Sequence, residues 1–180
     1  MDNFRYKNRY RIPSSRLKSW NYSSAGWYYV TICTQDRICY FGNITNRKTN
    51  LSTIGNITKQ FWKEIPKHFN KVLLDEYTIM PNHVHGIIII NRRDVINHVS
   101  TKKNISQMGS GTLGEIVRWY KGRTTYEIHK NNQKFFWQSR FYDHIIRDEQ
   151  SLSRIREYIR NNHLNWDTDE ENPKNIKSGL

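Results

Sequence analysis

Apolar positions mark out the elements of the chain. Trp27–Cys33 (WYYVTIC) is dense in aromatic and β-branched residues and predicts a strand. Ile38–Ile44 is a shorter segment that extends it or pairs with it. Between Leu51 and Phe69, Ile57, Phe61 and Ile65 recur every four residues. They therefore share one face of a predicted helix, which Pro66 ends or kinks. Val72–Met80 predicts a second strand, stopped by Pro81-Asn82. His83–Ile90 follows at once as a third. Its closing run of isoleucines makes both faces apolar, which marks a central strand.

The second half repeats the alternation. Residues 91–110 show no period and run into Gly109-Ser110-Gly111, which predicts a mobile loop. Thr112-Leu113-Gly114-Glu115 fits a capping box opening a helix to about Lys130. Phe135–Ser139 reads as a short strand. Asp148 is placed to cap a last helix, Glu149–Asn162, and the chain from His163 onward looks frayed. This order of elements predicts a ferredoxin-like α+β sandwich. Its sheet is expected to be mainly antiparallel with four to five strands. Helices pack on one face, and a C-terminal helix follows. Residues 1–24 form a basic arm, 25–166 one domain, and 167–180 a polar acidic tail.

Composition adds a partner to this picture. The 180 residues carry 29 Lys and Arg against 16 Asp and Glu, a formal net charge of +13. Aromatic residues make up 13%, enough for a core, which excludes a disordered basic tail. The basic arm interleaves Arg9, Arg11 and other cations with Phe4, Tyr6 and Tyr10; Arg118, Lys121 and Arg123 lie among Trp119, Tyr120 and Tyr126. Cations beside rings suit single-stranded nucleic acid, because phosphates meet charge and unstacked bases meet rings. A solvated basic surface over an aromatic core is the plainer reading. Membrane binding is not expected, since no apolar run spans a bilayer and no long basic amphipathic helix is present. The chain start lacks a secretory-signal pattern. Cys33 and Cys39 make neither a disulfide framework nor a zinc site, so a reduced cytoplasmic setting is expected.

The most informative triplet is His83-Val84-His85. Strand side chains alternate, so both imidazoles point the same way and can share one divalent ion. The plainer reading is two partly buried histidines with backbone or solvent partners. The last helix offers more. Tyr158 and Asn162 stand at i and i+4 on one face. Asn162 can give a carbonyl oxygen to the same ion, with the Tyr158 hydroxyl one turn away. Two imidazoles and an amide leave the ion its full charge for polarising a phosphodiester. Alone, Tyr158 would read as a tyrosine packed by its ring.

Five segments occur in a telling order: Tyr-Val-Thr-Ile-Cys-Thr (29–34), Met-Pro-Asn-His-Val-His-Gly (80–86), Trp137-Gln138, Tyr-Asp-His-Ile-Ile-Arg (142–147) and Ile-Arg-Glu-Tyr-Ile-Arg-Asn-Asn (155–162). Together they resemble the REP-associated tyrosine transposases, within the HUH endonucleases that use one catalytic tyrosine. The resemblance covers roughly residues 9–166. It implies a ferredoxin-like core and metal-dependent cleavage of single-stranded DNA beside a hairpin, through a 5′-phosphotyrosine link. It assigns His83 and His85 to the HUH pair, Tyr158 to the nucleophile and Asn162 to the third ligand, with Mg²⁺ or Mn²⁺ as cofactor. Arg9, Arg11, Arg118, Lys121, Arg123, Arg140 and Arg147 become the candidate DNA contacts. The protein would then work at the nucleoid. Relatives include homodimers that exchange the tyrosine helix, so action of Tyr158 in cis and in trans are both open. One departure is His163, where relatives often carry Pro.

Rival readings are weaker. Gly109–Gly114 fits G-x-G-x-x-G but follows no strand, so it fails the context for a dinucleotide site. A His-x-His-x-His hydrolase would need a histidine where Ile87 stands. Tyr142 is a rival nucleophile without a ligand one helical turn away. A non-catalytic binder, either a retired transposase or an RNA-binding module, would explain charge and rings but not the His pair, Tyr158 and Asn162.

Overall fold

A computed structural model describes residues 24–91 and 111–175, together with the backbone of 5–6 and 9–10. In the basic arm, β1 (Arg5–Tyr6) and β2 (Arg9–Tyr10) form a minimal antiparallel ladder. Arg11 and most of the predicted loop, residues 92–110, lie outside the described residues.

The central sheet has four strands. β3 (Gly26–Cys33), β6 (Val72–Ile79), β7 (His83–Ile90) and β8 (Tyr142–Ile146) lie in the order β6-β7-β3-β8, every neighbouring pair antiparallel. β7 is thus slotted between β3 and β6, the order of a ferredoxin-like sandwich. As the isoleucine run predicts, β7 is central and almost wholly buried.

Two expected strands differ. Ile38–Ile44 does not join β3. The chain turns through Gln35–Arg37, and β4 (Gly42–Thr45) pairs with β5 (Lys48–Leu51) as a separate hairpin. Asn46 and Arg47 both have positive φ, 52° and 59°, the twist that a two-residue hairpin turn requires. Phe135–Ser139 makes only a single bridge, Trp137 to Thr34, and the fourth strand of the sheet is β8. The reason is packing. Phe135 and Trp137 turn into a ring cluster with Phe41, centroids 4.9–5.7 Å apart, which draws their backbone off the ladder.

Alternation along β3 and β7 sorts side chains between two layers. Tyr28, Val30, Ile32, Val84 and Ile88 meet the helices α1 (Thr53–His68) and α2 (Leu113–Lys130) in the main core. Ser52 caps α1 by accepting from the Gly55 amide, and the predicted Thr112–Glu115 capping box is formed in α2. Gly86 allows the closest approach of these layers. A Cβ there would lie 2.2 Å from the Trp62 indole.

The opposite face carries His83, His85 and Ile87, and here α3 (Glu149–Asn161) packs, burying Leu152 and Ile159 against Ile87 and Ile146. Asp148 caps it through the Ser151 amide. At the edge of the sheet, the register of β6 shifts between Leu74 and Tyr77. Asp75 and Glu76 are neighbours, yet both reach α3. Arg156 grips Asp75 through two bonds of 2.7 and 2.8 Å, and Arg160 meets Glu76 at 2.9 Å. The chain from 162 to 175 is not frayed. It continues as short 3₁₀ turns, Asn162–Thr168 and Pro173–Asn175, because Glu171 pairs with Arg37 and Asn82 on the body and Asn172 bonds back to the Trp166 carbonyl. No helix among the described residues is long and apolar enough to cross a membrane.

Candidate active site

His83 and His85 open β7 on the face that α3 covers, 0% and 3% exposed, with ring centroids 4.4 Å apart. Each ring has one nitrogen committed to the protein. His83 Nδ1 lies 2.8 Å from Asn82 Oδ1, so it donates there and leaves Nε2 as a bare lone pair. His85 Nδ1 lies 2.7 Å from the Tyr29 hydroxyl and 3.0 Å from Thr31 Oγ1. Thr31 stands directly opposite His85 in the β3–β7 register. With the Tyr29 oxygen accepting from Nδ1–H, His85 also turns a lone pair at Nε2 into the site. Such partners fix ring orientation and tautomer in metal centres.

From the other side, α3 brings Tyr158 and, just past its last turn, Asn162. The Tyr158 hydroxyl is 3.4 Å from His85 Nε2. Asn162 Nδ2 donates to Asp169 Oδ2 at 3.2 Å, which fixes the amide orientation. Asn162 Oδ1 and His83 Nε2 are both buried without a hydrogen-bond partner. Two buried acceptors cannot satisfy each other, and each unmet group costs roughly 1–3 kcal/mol. A cation supplies what both lack, so the residues fit a divalent metal. Asp169 extends the set, since its carboxylate and the two imidazoles offer ligand atoms within 4.8 Å of one another.

Burial sets the charges. It holds His83 down to about 3, with the Asn162 amide opposing only partly. It holds His85 well below the usual range as well, helped by the charge of His83. Both rings are therefore neutral at physiological pH, the form that binds metal. The Tyr158 phenol is pushed up, first by burial and then by the charge of Asp169. It stays protonated until positive charge enters beside it.

The site opens into a cleft of about 1020 Å³, walled by Tyr29, Gln138, Arg140 and Tyr142 on one side and by the chain after α3 on the other. Tyr158, 46% exposed, stands in this opening. Tyr142 lines the same cleft, but its ring edge meets Tyr29, centroids 6.2 Å apart.

The fold thus gathers His83, His85, Tyr158 and Asn162. The basic candidates scatter. Arg140 lines the cleft, and Arg147 is exposed just past β8. Lys121 instead donates to the carbonyls of Gln138 and Arg140 at 2.6 and 3.0 Å, holding the cleft wall. Arg118 is exposed on α2, and Arg123 lies over the Phe61 and Tyr126 rings, in the layer across the sheet from the imidazoles. Arg9 falls in β2, where the backbone alone is described. Sequence reasoning missed Tyr29, Thr31, Asn82 and Asp169. The first three sit within the quoted segments 29–34 and 80–86; Asp169 carried no signal beyond an acidic cluster.

Comparison with known proteins agrees with this geometry. Residues 26–162 match the family model described as IS200-like transposase. An uncharacterized protein of Haemophilus influenzae is 44% identical over 168 residues, covering 87% of this chain and 91% of the relative. A second H. influenzae protein, named as a candidate REP-associated tyrosine transposase, is 26% identical over 145 residues, 77% of this chain and 70% of the other. Among solved structures, a REP-associated tyrosine transposase bound to a REP hairpin superposes with a TM-score of 0.54 at 18% identity, covering 84% of this chain and 73% of that one. That last likeness is one of fold.

Proposed function

The chain belongs to the IS200-like transposase family, and on that premise we propose that it is a metal-dependent endonuclease and strand transferase acting on single-stranded DNA beside a hairpin, with Tyr158 as nucleophile. The observation that carries this reading is the Tyr158 hydroxyl 3.4 Å from His85 Nε2, at the mouth of a cleft whose floor holds unpartnered acceptors. A noncatalytic binder has no need of that arrangement.

His83, His85 and Asn162 would hold the cation, Mg²⁺ or Mn²⁺, which when bound supplies Lewis-acid polarisation of the phosphodiester and favours the phenolate. The remaining work falls to the chain itself. Arg140 lines the cleft by which a phosphate backbone would enter, and Arg147 is a further exposed cation past β8. Exposed rings such as Tyr142 offer a surface for unstacked bases. Tyr158 Oη attacks phosphorus in line and forms the new P–O bond, while the bond to the 3′-oxygen breaks. The phenolic proton passes to water in the open cleft, and the leaving 3′-oxygen takes a proton from water. The product is a 5′-phosphotyrosine ester with a free 3′-hydroxyl. Attack by another 3′-hydroxyl reverses the exchange and joins strands without a nucleotide cofactor. Tyr158 reaches His85 within one chain, which favours action in cis. The known partner class of a structural neighbour, a REP hairpin, is the natural first substrate.

The test is incubation with Mn²⁺ and hairpin-bearing single-stranded DNA from the flanks of the gene, labelled at either end and resolved on a denaturing gel. The 3′ label is expected to move with the protein and the 5′ label to appear as a shorter free strand. Tyr158→Phe is expected to bind DNA and give no adduct. Cleavage surviving in Tyr158→Phe would refute the assignment.

A further inference from the structure

We propose that Asp169, in the segment that returns after α3, is the anionic ligand of the cation site, so that the acidic tail completes the centre rather than trailing in solvent. The inference rests on the reading of His83, His85 and Asn162 as metal ligands. Two donors on one Mg²⁺ or Mn²⁺ stand at most about 4 Å apart, given bonds near 2.1 Å. The Asp169 carboxylate and both imidazoles already lie within 4.8 Å of one another, so side-chain shifts on the order of 1 Å close the set. Independently, His83 Nε2 and Asn162 Oδ1 are both buried without a hydrogen-bond partner.

Asp169 is held where it stands by the body of the protein. Its Oδ1 accepts from the Glu171 amide at 2.7 Å and its Oδ2 from Asn162 Nδ2 at 3.2 Å, and each oxygen keeps a further lone pair. The Glu171 carbonyl takes a 2.7 Å bond from Asn82 Nδ2, and the Glu171 carboxylate pairs with Arg37 at 2.7 Å. Asn82 is also the residue that orients His83. Two amides, Asn82 and Asn162, therefore tie the tail to the imidazole pair from opposite sides. A carboxylate changes the chemistry of the centre. Two imidazoles and an amide are a neutral set, whereas one added carboxylate brings a negative charge and a hard oxygen, the donor that Mg²⁺ and Mn²⁺ prefer.

The experiment is Mn²⁺ binding to the full chain without DNA, read by electron paramagnetic resonance of the free ion. Asp169→Asn, which keeps shape and loses charge, is expected to bind about 10–100-fold more weakly. Asp167→Asn, an exposed charge removed from the same segment, is expected to stay within about twofold of wild type, a small effect for a screened surface charge. Asp169→Asn binding as Asp167→Asn does would overturn the inference and leave the proposed function standing. Failure of the wild-type chain to bind Mn²⁺ would overturn both. A second measurement needs no substitution: with aspartate Cγ labelled by ¹³C, diamagnetic Mg²⁺ should shift one aspartate resonance of the wild-type chain. A spectrum without that shift also overturns the inference.

Discussion

The Tyr29 hydroxyl and His85 Nδ1 meet at 2.7 Å across the β3–β7 ladder, so a residue on one central strand positions an imidazole on the next. The bond turns Nε2 toward the Tyr158 hydroxyl, 3.4 Å away in the cleft. Tyr29→Phe removes the nearer of the two oxygens on Nδ1, leaves Thr31 Oγ1 at 3.0 Å, and keeps the ring. Mn²⁺ affinity should fall about 10–100-fold. Isothermal titration of the variant checks this, with an unchanged melting temperature excluding a loss of fold.

Gly86 should tolerate no side chain. A Cβ would stand 2.2 Å from Trp62, an indole wholly buried between α1 and the sheet. Gly86→Ala is expected to cost about 1–3 kcal/mol by overpacking. Urea unfolding measures it. A variant as stable as wild type would mean that Trp62 is free to move.

Asp75 links edge strand to α3, and the Arg156 guanidinium holds its carboxyl below the usual carboxylate range. A lowered folded-state value stabilises the protein above the unfolded value, near 3.9, and that stability is lost as pH falls through the folded value. The difference between wild type and Asp75→Asn should thus be present at pH 6, on the order of 1 kcal/mol, and should shrink progressively below about pH 4. Urea unfolding of both proteins across that range reads it out.

The two thiols should react differently. Burial, aided by Glu171, pushes the Cys33 thiol up to about 12, while Cys39 lies at the surface. The thiolate is the reactive form. Iodoacetamide at pH 8 should label Cys39 and spare Cys33 until the protein unfolds. Mass spectrometry of tryptic peptides distinguishes the outcomes, and early labelling of Cys33 would contradict its burial.

Much of the site is legible in local periodicities. The period of two placed His83 and His85 on one face, and the period of 3.6 aligned Tyr158 with Asn162. Both survive folding because His83 and His85 share one strand, and Asn162, the residue that caps α3, keeps helical backbone angles. Tyr29 and Thr31 were hidden because their roles depend on cross-strand register, which a strand's own sequence does not state. Asp169 was hidden because its position follows from the route of an irregular segment, fixed by partners as distant as Asn82 and Arg37. The fourth strand was misplaced for a related reason. Phe135–Ser139 and Tyr142–Ile146 have similar strand-forming content, and ring packing around Phe41, not propensity, decided which joined the ladder.

The irregular step in β6 has a mechanical meaning. Regular pleating would send Asp75 and Glu76 to opposite sides, and only one of them could hold α3. Because the step turns both the same way, two arginines one helical turn apart are clasped at once, and the helix is tied to the sheet edge at two points. Removing one residue from that step would release one clasp and leave Leu152 and Ile159, packed on Ile87 and Ile146, to hold the helix. Asp75 at the sheet margin thus helps seat the helix that carries Tyr158, 81 residues before the arginine that answers it.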